Sequence, residues 1–526
     1  MTESFPWNTF LNDPLQFLDN FLTEICIKQL RTHEHFVSEL RRYVLNERHR
    51  WNEIELYGAF GRTEEVPSRS LVRFRGMIQD MMEDEYFVAR SQDSPIVHAN
   101  LFREQTCYND STDGFVLLPQ FLESRRVYRA ISIPGETEWV KECYYAQSST
   151  HADEHSKRAK IDFSYSPSST IILKVYDDWK DIRLNDVIET VGIYYGNNDG
   201  SNGEVHLEIV SPPRLHVVAY RKLVSDHPSY CHYDLVTEEV LRSHVDLSST
   251  RQAVLSTFAN LLYGDELAAE YLLCHLLSSV RHRVGTLPVG NMTLNLYKAD
   301  NDLSVKLDTL LKQLLTKVHY LPLQLDVLNG ETLVPRKNYE MDVLTEGRLQ
   351  LPSGTVLLID ENKLQEGALN ENGLKNIVAL RSIIQWQSVS YDFNWQAVTI
   401  ETNVNVLAIS AGKSMLPFSF TLPLERRQDI PHSIVDNEMV ILIRSYLSLC
   451  KLLPLRSSQE KMQEAAGRSF VLARQEDPNI TENDLHQWVT LASVLALSYG
   501  METIDEERWE KAVAMEQLRR NRMKEN

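Results

Sequence analysis

The residues with the clearest potential for chemistry are Asp360 and Glu361, an acidic pair that closes the apolar run Thr355–Ile359. Pro352-Ser353-Gly354 precede the run and Glu361-Asn362-Lys363 follow it, so it reads as a strand buried on both faces of an α/β sheet. An Asp-Glu pair delivered by such a strand can hold a magnesium ion with the Asp and polarise an attacking water with the Glu, as the Walker B strand does in P-loop ATPases. The same two residues could instead be a strand end turning into solvent. The choice depends on whether the partners of such a site are present.

A triphosphate needs the loop G-x-x-x-x-G-K-[ST], whose closely spaced glycines let backbone N–H groups wrap the phosphates. The one Gly-Lys pair in the chain is Gly412-Lys413-Ser414; Leu407 stands where the first glycine belongs, and the segment follows the Asp-Glu strand instead of preceding it. Upstream, Met292–Tyr297 reads as a strand and Ser304–Leu315 as a helix. The segment Lys298–Leu303 between them has no glycine and adds Asp300 and Asp302, which would repel a triphosphate. A further apolar strand, Asn403–Ser410, ends on Ser410, where a nucleotide-sensing residue would stand. The order of strand, glycine-free loop, helix, Asp-Glu strand and second apolar strand is similar to an AAA+ core that has lost its nucleotide. Asp360 and Glu361 are then a degenerate Walker B-like pair, and no catalytic residue, cofactor or metal ligand is assigned.

Other motifs add little. The chain has no G-x-S-x-G, H-E-x-x-H or G-x-G-x-x-G. His33-Glu34-His35 lacks the i, i+4 pair that puts two histidines on one helix face, and His227, Cys231 and His232 lack a nearby fourth ligand. The six cysteines are scattered without a C-x-x-C pair, which suits a reducing compartment. No signal peptide and no run of 18 apolar residues is read, so no membrane is expected. At 526 residues and 43% apolar, the chain can form about two to four domains with their own cores. Its net charge of −19 disfavours direct nucleic-acid binding and favours basic protein partners.

The elements that must position these residues follow from periodicity. Residues 1–65 form a helical region, with Leu15, Leu18, Phe21, Leu22 and Ile25 at helical spacing. Residues 66–225 read as a β domain. Strands are expected at Ser70–Gln79, Phe115–Leu118, Arg126–Ile133, Ile171–Tyr176, Asp186–Ile193, Val205–Ile209 and Leu215–Ala219. The segment Arg183–Glu189 followed by a strand containing Gly192 is typical of small Greek-key barrels of the OB type. Tyr176, Trp179, Tyr194 and Tyr195 could stack bases, but Asp177, Asp178, Asp181, Asp186 and Glu189 surround them, so core or protein contacts fit better. A polar loop near 148–160 interrupts the strands. It carries Lys157, Arg158 and Lys160, a short basic cluster that is the candidate nuclear localisation signal.

Helices begin near Thr250: Ala253–Tyr263, then Glu266–Arg281 capped by Asp265, then the α/β core, the whole spanning 240–475. A C-terminal helical lid, 476–526, starts on a Thr481/Asp484 capping box and stops at Gly500, with Thr503 and Glu506 starting a last helix. No Arg or Lys stands between Gln475 and Glu507 to reach a γ-phosphate. The fold class is thus α+β and multidomain: an OB-like β-barrel, a degenerate AAA+-like α/β core and a C-terminal helical lid.

Longer stretches are similar to one family, the mini-chromosome maintenance (MCM) complex-binding proteins. They are Val72–Asp80, Thr137–Cys143, Leu173–Ile193, Pro213–Val217, Tyr263–Leu277, Leu287–Leu296, Leu349–Gly367, Val389–Phe393, Asn405–Ser410 and Thr481–Trp488. Together they cover roughly residues 70–526. The N-terminal helix is not matched, and the loop near 148–160 is shorter than the family's insert. The resemblance implies a non-catalytic nuclear factor, without cofactor, that binds subunits of the MCM replicative helicase. It implies roles in assembling nascent subunits, in an alternative MCM complex, and in releasing MCM complexes from chromatin in S phase, with a link to sister chromatid cohesion. The competing readings are an active P-loop ATPase, opposed by the missing glycines, and a single-stranded-DNA-binding OB protein, opposed by the acidic balance.

Overall fold

The computed structural model describes residues 5–29, 33–58, 66–88, 101–104, 122–148, 170–176, 181–196, 212–223, 245–427, 436–456 and 460–524. They group into two compact units, Met1–Ile133 with Lys141–Val224, and Pro134–Val140 with Ser225–Asn526. The expected strands Phe115–Leu118 and Val205–Ile209 lie outside the described residues, as do Trp179, His227, Cys231, His232, Lys157, Arg158 and Lys160.

The first unit opens with helices α1 (Trp7–Asn12), α2 (Pro14–Gln29) and α3 (His33–Asn46) and continues with β1 (Glu55–Leu56), β2 (Leu71–Met81), β3 (Glu85–Val88) and β4 (Leu122–Ile131). After α4 (Glu138–Ser148) come β5 (Ile171–Val175), β6 (Val187–Tyr195) and β7 (Arg214–Lys222). The strands pair in the order β2-β6-β7-β5-β4, and β4 returns to β2, so five strands close into a barrel. Every pair in the ring is antiparallel except β5 with β7. Closure removes the unpaired edges that an open sheet of this size would expose. Val72, Phe74, Ile78, Tyr128, Leu173, Ile188, Leu215 and Val217 fill the inside. Two glycines permit the closure. A Cβ on Gly76 would meet the Ile131 carbonyl at 2.4 Å, and one on Gly192 the His216 carbonyl at 2.4 Å, beside a register shift at Val191/Gly192. α3 packs on β7, with the Arg41 guanidinium 4.7 Å from the Tyr220 ring centre.

The second unit begins with α5 (Leu247–Leu261) and α6 (Glu266–Leu277) and the hairpin β8 (His282–Val284) and β9 (Leu287–Val289). β10 (Leu294–Tyr297), α7 (Leu303–Leu314), β11 (Val318–Pro322), α8 (Leu325–Gly330), β12 (Arg336–Asn338), β13 (Val343–Thr345) and β14 (Val356–Asp360) follow. Then come α9 (Glu371–Trp386), β15 (Ser388–Asp392), β16 (Ala397–Glu401), β17 (Asn405–Ser410) and β18 (Phe420–Pro423). The chain ends in α10 (Asn437–Leu452), α11 (Glu460–Glu476), α12 (Glu482–Ser498) and α13 (Glu506–Lys524). Five strands form an all-parallel sheet in the order β11-β14-β17-β10-β18. All of β14 and β17 is buried, which is why both read as unbroken apolar runs rather than alternating ones. A second sheet, β13-β12-β15-β16, is built from two hairpins inserted before β14 and before β17.

Caps set the helix limits. Asp265 accepts from the Ala268 N–H at 3.1 Å, as its position predicts. α6 stops at Leu277, short of the predicted Arg281, because Ser278 turns extended and the buried Asn405 Nδ2 donates to the His275 and Ser278 carbonyls at 2.7 and 2.9 Å. The Thr481/Asp484 capping box is present. The last helix is started by Asp505, which accepts from the Arg508 N–H at 3.1 Å, and not by Thr503. Trp488, Leu491, Leu495, Trp509 and Met515 share one core with Leu272, Leu294, Leu307 and Leu358.

Arg522 near the end of α13 reaches Asp265 with both amino nitrogens, at 2.7 and 3.1 Å, and both side chains are buried. Asp265 also accepts from the Glu425 N–H at 3.0 Å, so one carboxylate ties α6, the chain after β18 and α13 together. Removing one member of such a pair leaves an uncompensated buried charge. Arg522→Ala is therefore expected to lower unfolding free energy by about 3–5 kcal/mol, and the double change Asp265→Asn with Arg522→Met to cost less. Urea denaturation of the full chain checks both.

Candidate functional site

Parallel strands deliver their carboxyl ends to one edge of a sheet, where α/β proteins place their ligand sites. Here that edge collects Tyr297, Pro322, Asp360, Ser410 and Pro423, the last residues of the five strands. Asp360 is fully buried. Its Oδ2 accepts from the Ser304 hydroxyl and from the Tyr320 hydroxyl, each at 2.7 Å, and its Oδ1 accepts from the Asn362 N–H at 3.1 Å. Ser304 is the second residue of α7, and Tyr320 lies on the neighbouring strand β11. Burial, and then the Asp360 carboxylate, push the Tyr320 phenol up to about 12, so it stays a donor at neutral pH.

A hydroxyl at the start of the helix after the first strand, facing an acid at the end of another, is the pair that shares a magnesium ion in P-loop enzymes. In this chain the Ser304 hydroxyl donates to the Asp360 carboxylate directly, and Tyr320 and Asn362 take two more of its acceptor positions. Among the described residues no group of three or more His, Cys, Asp or Glu side chains is arranged to hold a metal ion.

Glu361 turns toward the loop after β17, where the Ser414 hydroxyl donates to it at 2.6 Å. Burial pushes its carboxyl above the ordinary value, and the Ser414 hydrogen bond opposes that shift. Ser414 thus serves as a partner of Glu361, while Lys413 beside it is exposed. Ser410 sits next to Tyr297 in register, and its hydroxyl donates to Asn295 Oδ1 at 3.1 Å.

The loop that would wrap phosphates closes on the protein. Lys298 takes a left-handed φ of 62° without being glycine. The Ala299 N–H donates to the Ser410 carbonyl at 3.3 Å, and the Leu303 N–H to the Asp300 carbonyl at 3.1 Å. The Asp300 carboxylate accepts from the Tyr263 hydroxyl at 3.0 Å and pairs with Arg426, whose guanidinium lies 4.7 Å from the Tyr263 ring centre. Burial and then Asp300 push the Tyr263 phenol up to about 12. The Ala299 and Leu303 amides and the Arg426 guanidinium are therefore engaged with groups of the chain itself.

The barrel holds a second polar cluster that periodicity did not reveal. His216 lies between the Tyr176 hydroxyl on Nδ1 and Glu104 Oε1 on Nε2, the latter at 2.8 Å. Lys174 reaches the same Glu104 oxygen at 2.7 Å, and Arg125 donates to the Tyr176 hydroxyl at 2.8 Å. Burial pushes His216 down to about 4. For Glu104 burial acts upward, but His216 and Lys174 outweigh it and hold the carboxyl well below the usual range. Tyr176, Tyr194 and Tyr195 are all buried, so none offers a face on which a base could stack. Glu189, expected among groove acids, is inside the wall with Arg221 at 2.6 Å and Arg73 at 3.5 Å.

The candidate localisation residues Lys157, Arg158 and Lys160 lie outside the described residues. Ser304 and Tyr320 carry the site and are not singled out in sequence, whereas Asp300 is read there only as a group that would repel a triphosphate. Ser304 had a signal, a hydroxyl at the start of the helix that follows β10. Tyr320 and Arg426 had none, because each meets its partner only through the fold.

The family described as Mini-chromosome maintenance replisome factor matches residues 42–162 and 145–523. A mini-chromosome maintenance complex-binding protein of Danio rerio is 28% identical, over 98% of this chain and 97% of its own length. Proteins of the same name from Arabidopsis thaliana and Homo sapiens are each 28% identical, over 87% of this chain and 89% of theirs.

Two substitutions separate the roles of the acidic pair. Asp360→Ala strands the Ser304, Tyr320 and Asn362 donors and is expected to cost about 2–4 kcal/mol of stability. Glu361 behaves oppositely. Its raised value means that ionisation costs the fold at neutral pH, and that cost fades as pH falls through the raised range. Glu361→Gln is expected to be neutral or slightly stabilising at about pH 8 and to lose any advantage toward about pH 5. Thermal melts of both variants across that range check this.

Proposed function

The chain belongs to the mini-chromosome maintenance replisome factor family, and from that premise we propose that it is a non-catalytic binding factor for the MCM complex. Its relatives carry the name of complex-binding proteins. In this reading it acts as a chaperone for MCM subunits. It supports assembly of nascent subunits, takes part in an alternative MCM complex, and helps release MCM complexes from chromatin in S phase. Its place of action is the nucleus, with Lys157, Arg158 and Lys160 as the import signal. Failure of residues 148–160 to carry a cytoplasmic reporter into the nucleus counts against that signal.

The observation that carries the non-catalytic reading is the closure of Asp360 on Ser304, Tyr320 and Asn362. The order β11-β14-β17-β10-β18 supports reading the second unit as an AAA+-like pseudo-ATPase core. It sets the glycine-free loop, the Asp-Glu strand and Ser410 at one edge. The position of α12 and α13 after that core supports the lid. The closed order β2-β6-β7-β5-β4, with its single parallel pair, supports an OB-like barrel, and its buried tyrosines oppose a base-stacking role. A protein built along such lines could take a subunit's neighbour surface without cycling nucleotide. Among the described residues no helix is long and apolar enough to cross a membrane.

The test is direct binding. Purified MCM subunits titrated singly against the purified chain, without nucleotide, are expected to include at least one saturable partner. Glu361→Gln is expected to bind that partner equally. Absence of binding to every subunit and to the assembled complex contradicts the proposal.

A further inference from the structure

The two larger sheets of the second unit treat their edges differently. At β18 the parallel sheet is closed by α13, whose Arg519 and Arg522 donate to the Thr421 and Pro423 carbonyls at 3.2 and 3.3 Å. At β16 the mixed sheet ends, and among the described residues no strand pairs with its far side. The Phe393 N–H donates to Gln396 and the Thr402 N–H to Gln387, at 3.0 and 2.8 Å. In an antiparallel ladder the hydrogen-bonded pairs alternate. With the register running Ser388↔Glu401 to Asp392↔Ala397, Val398 and Ile400 then face β15, and the N–H and C=O groups of Ala397, Thr399 and Glu401 point outward.

Natural sheets blunt such edges with Lys, Pro, a bulge or a covering element. The segment Gln396–Thr402 (QAVTIET) has no Pro and no Lys, it pairs without a register shift, and Ala397, Val398, Thr399 and Glu401 are exposed. Apolar side chains stand at both ends of the edge. At the start, Trp395 is 82% exposed, with its ring 4.8 Å from that of Tyr339 on the neighbouring hairpin, and Met341 beside it is also exposed. At the other end, Arg283 binds the Glu401 carboxylate at 3.3 Å and the Trp386 carbonyl at 2.9 Å; Trp386 and the paired Val284 and Leu287 of the β8-β9 hairpin are exposed.

We propose that β16 is a strand-addition site. It accepts an extended segment of a partner protein, anchored on Trp395 and Tyr339, with apolar residues alternating with basic ones. The inference rests on the reading of the chain as a binding factor and names the surface that does the binding. Main-chain hydrogen bonds to the outward groups supply affinity, and alternate side chains supply specificity. Charge selects the occupant. The hairpin 388–402 carries no Lys or Arg of its own, its Asp392 and Glu401 pair with Arg336 and Arg283, and the excess negative charge is that of the whole chain, −19. Pairing with a second copy would set two such chains against each other, whereas a basic segment is attracted.

The test uses Thr399→Pro, Thr399→Lys and Trp395→Ala in the full chain. Because the Thr399 N–H points away from β15, Pro there leaves the existing ladder intact and removes an outward donor; Lys, which blunts the edge without touching the ladder, serves if Pro unfolds the hairpin. Titration with purified MCM subunits is expected to show at least tenfold weaker binding for each folded variant. Equal binding overturns the site and leaves the proposed function standing. If the wild-type chain binds no subunit, that reading fails, and the site is then decided separately with a synthetic ten-residue peptide of alternating Lys and Val. Hydrogen exchange is expected to show that the peptide protects the amides of Ala397, Thr399 and Glu401, and no protection overturns the site. Concentration-dependent dimers that disappear in Thr399→Pro would make the occupant a second copy and also overturn it.

Discussion

A carboxylate taken wholly out of water must be given hydrogen bonds by the protein, and the second unit is arranged around meeting that requirement at Asp360. Three elements meet there: Ser304 from the start of α7, Tyr320 from β11 and the Asn362 N–H from the turn after β14. Each donor fixes its element against the sheet edge, so the positions of the helix, the outer strand and the turn are set by one side chain. The groups that would bind a metal ion and a phosphate are thereby used to hold the fold. Asp300 extends the same pattern outward, taking Arg426 and Tyr263 where an anion would sit in a nucleotide-binding loop.

How much of this was legible in sequence follows from the range of the interactions. The strands β14 and β17 could be read because parallel strands buried on both faces give nearly unbroken apolar runs. The Asp360-Glu361 pair and the glycine-free loop were visible as local patterns. The satisfaction of Asp360 was not, since Tyr320 lies 40 residues away in sequence and enters only through β11 pairing with β14. The same limit hid the barrel cluster. Tyr176 and His216 are 40 residues apart and meet because β5 and β7 run parallel beside each other, the one parallel pairing in the ring. Glu189 looked like a surface acid because its partners Arg73 and Arg221 lie on other strands. The end of α6 was misjudged for a related reason. The apolar pattern continues to Val280, but Asn405 closes the last carbonyls earlier.

The two units settle their polar and edge groups by different routes. The barrel removes its edges by closing and places its charged side chains in paired networks within the wall. The parallel sheet seals one side with arginines from α13 and its carboxyl edge with Asp360 and its donors. Against that background β16, with outward main-chain groups and Trp395 at its end, is an edge left to meet something else. On the proposed function, binding in this chain is expected from exposed main chain and aromatic side chains, while the carboxyl edge of the parallel sheet is engaged by the chain's own side chains.

The most direct measurement is a titration of the purified chain with magnesium-ATP, followed by phosphate release from the same sample. A carboxyl edge closed by Ser304, Tyr320, Asn362, Asp300 and Arg426 gives no heat beyond dilution and no phosphate above background. Micromolar binding with steady turnover that is abolished by Asp360→Asn would contradict it.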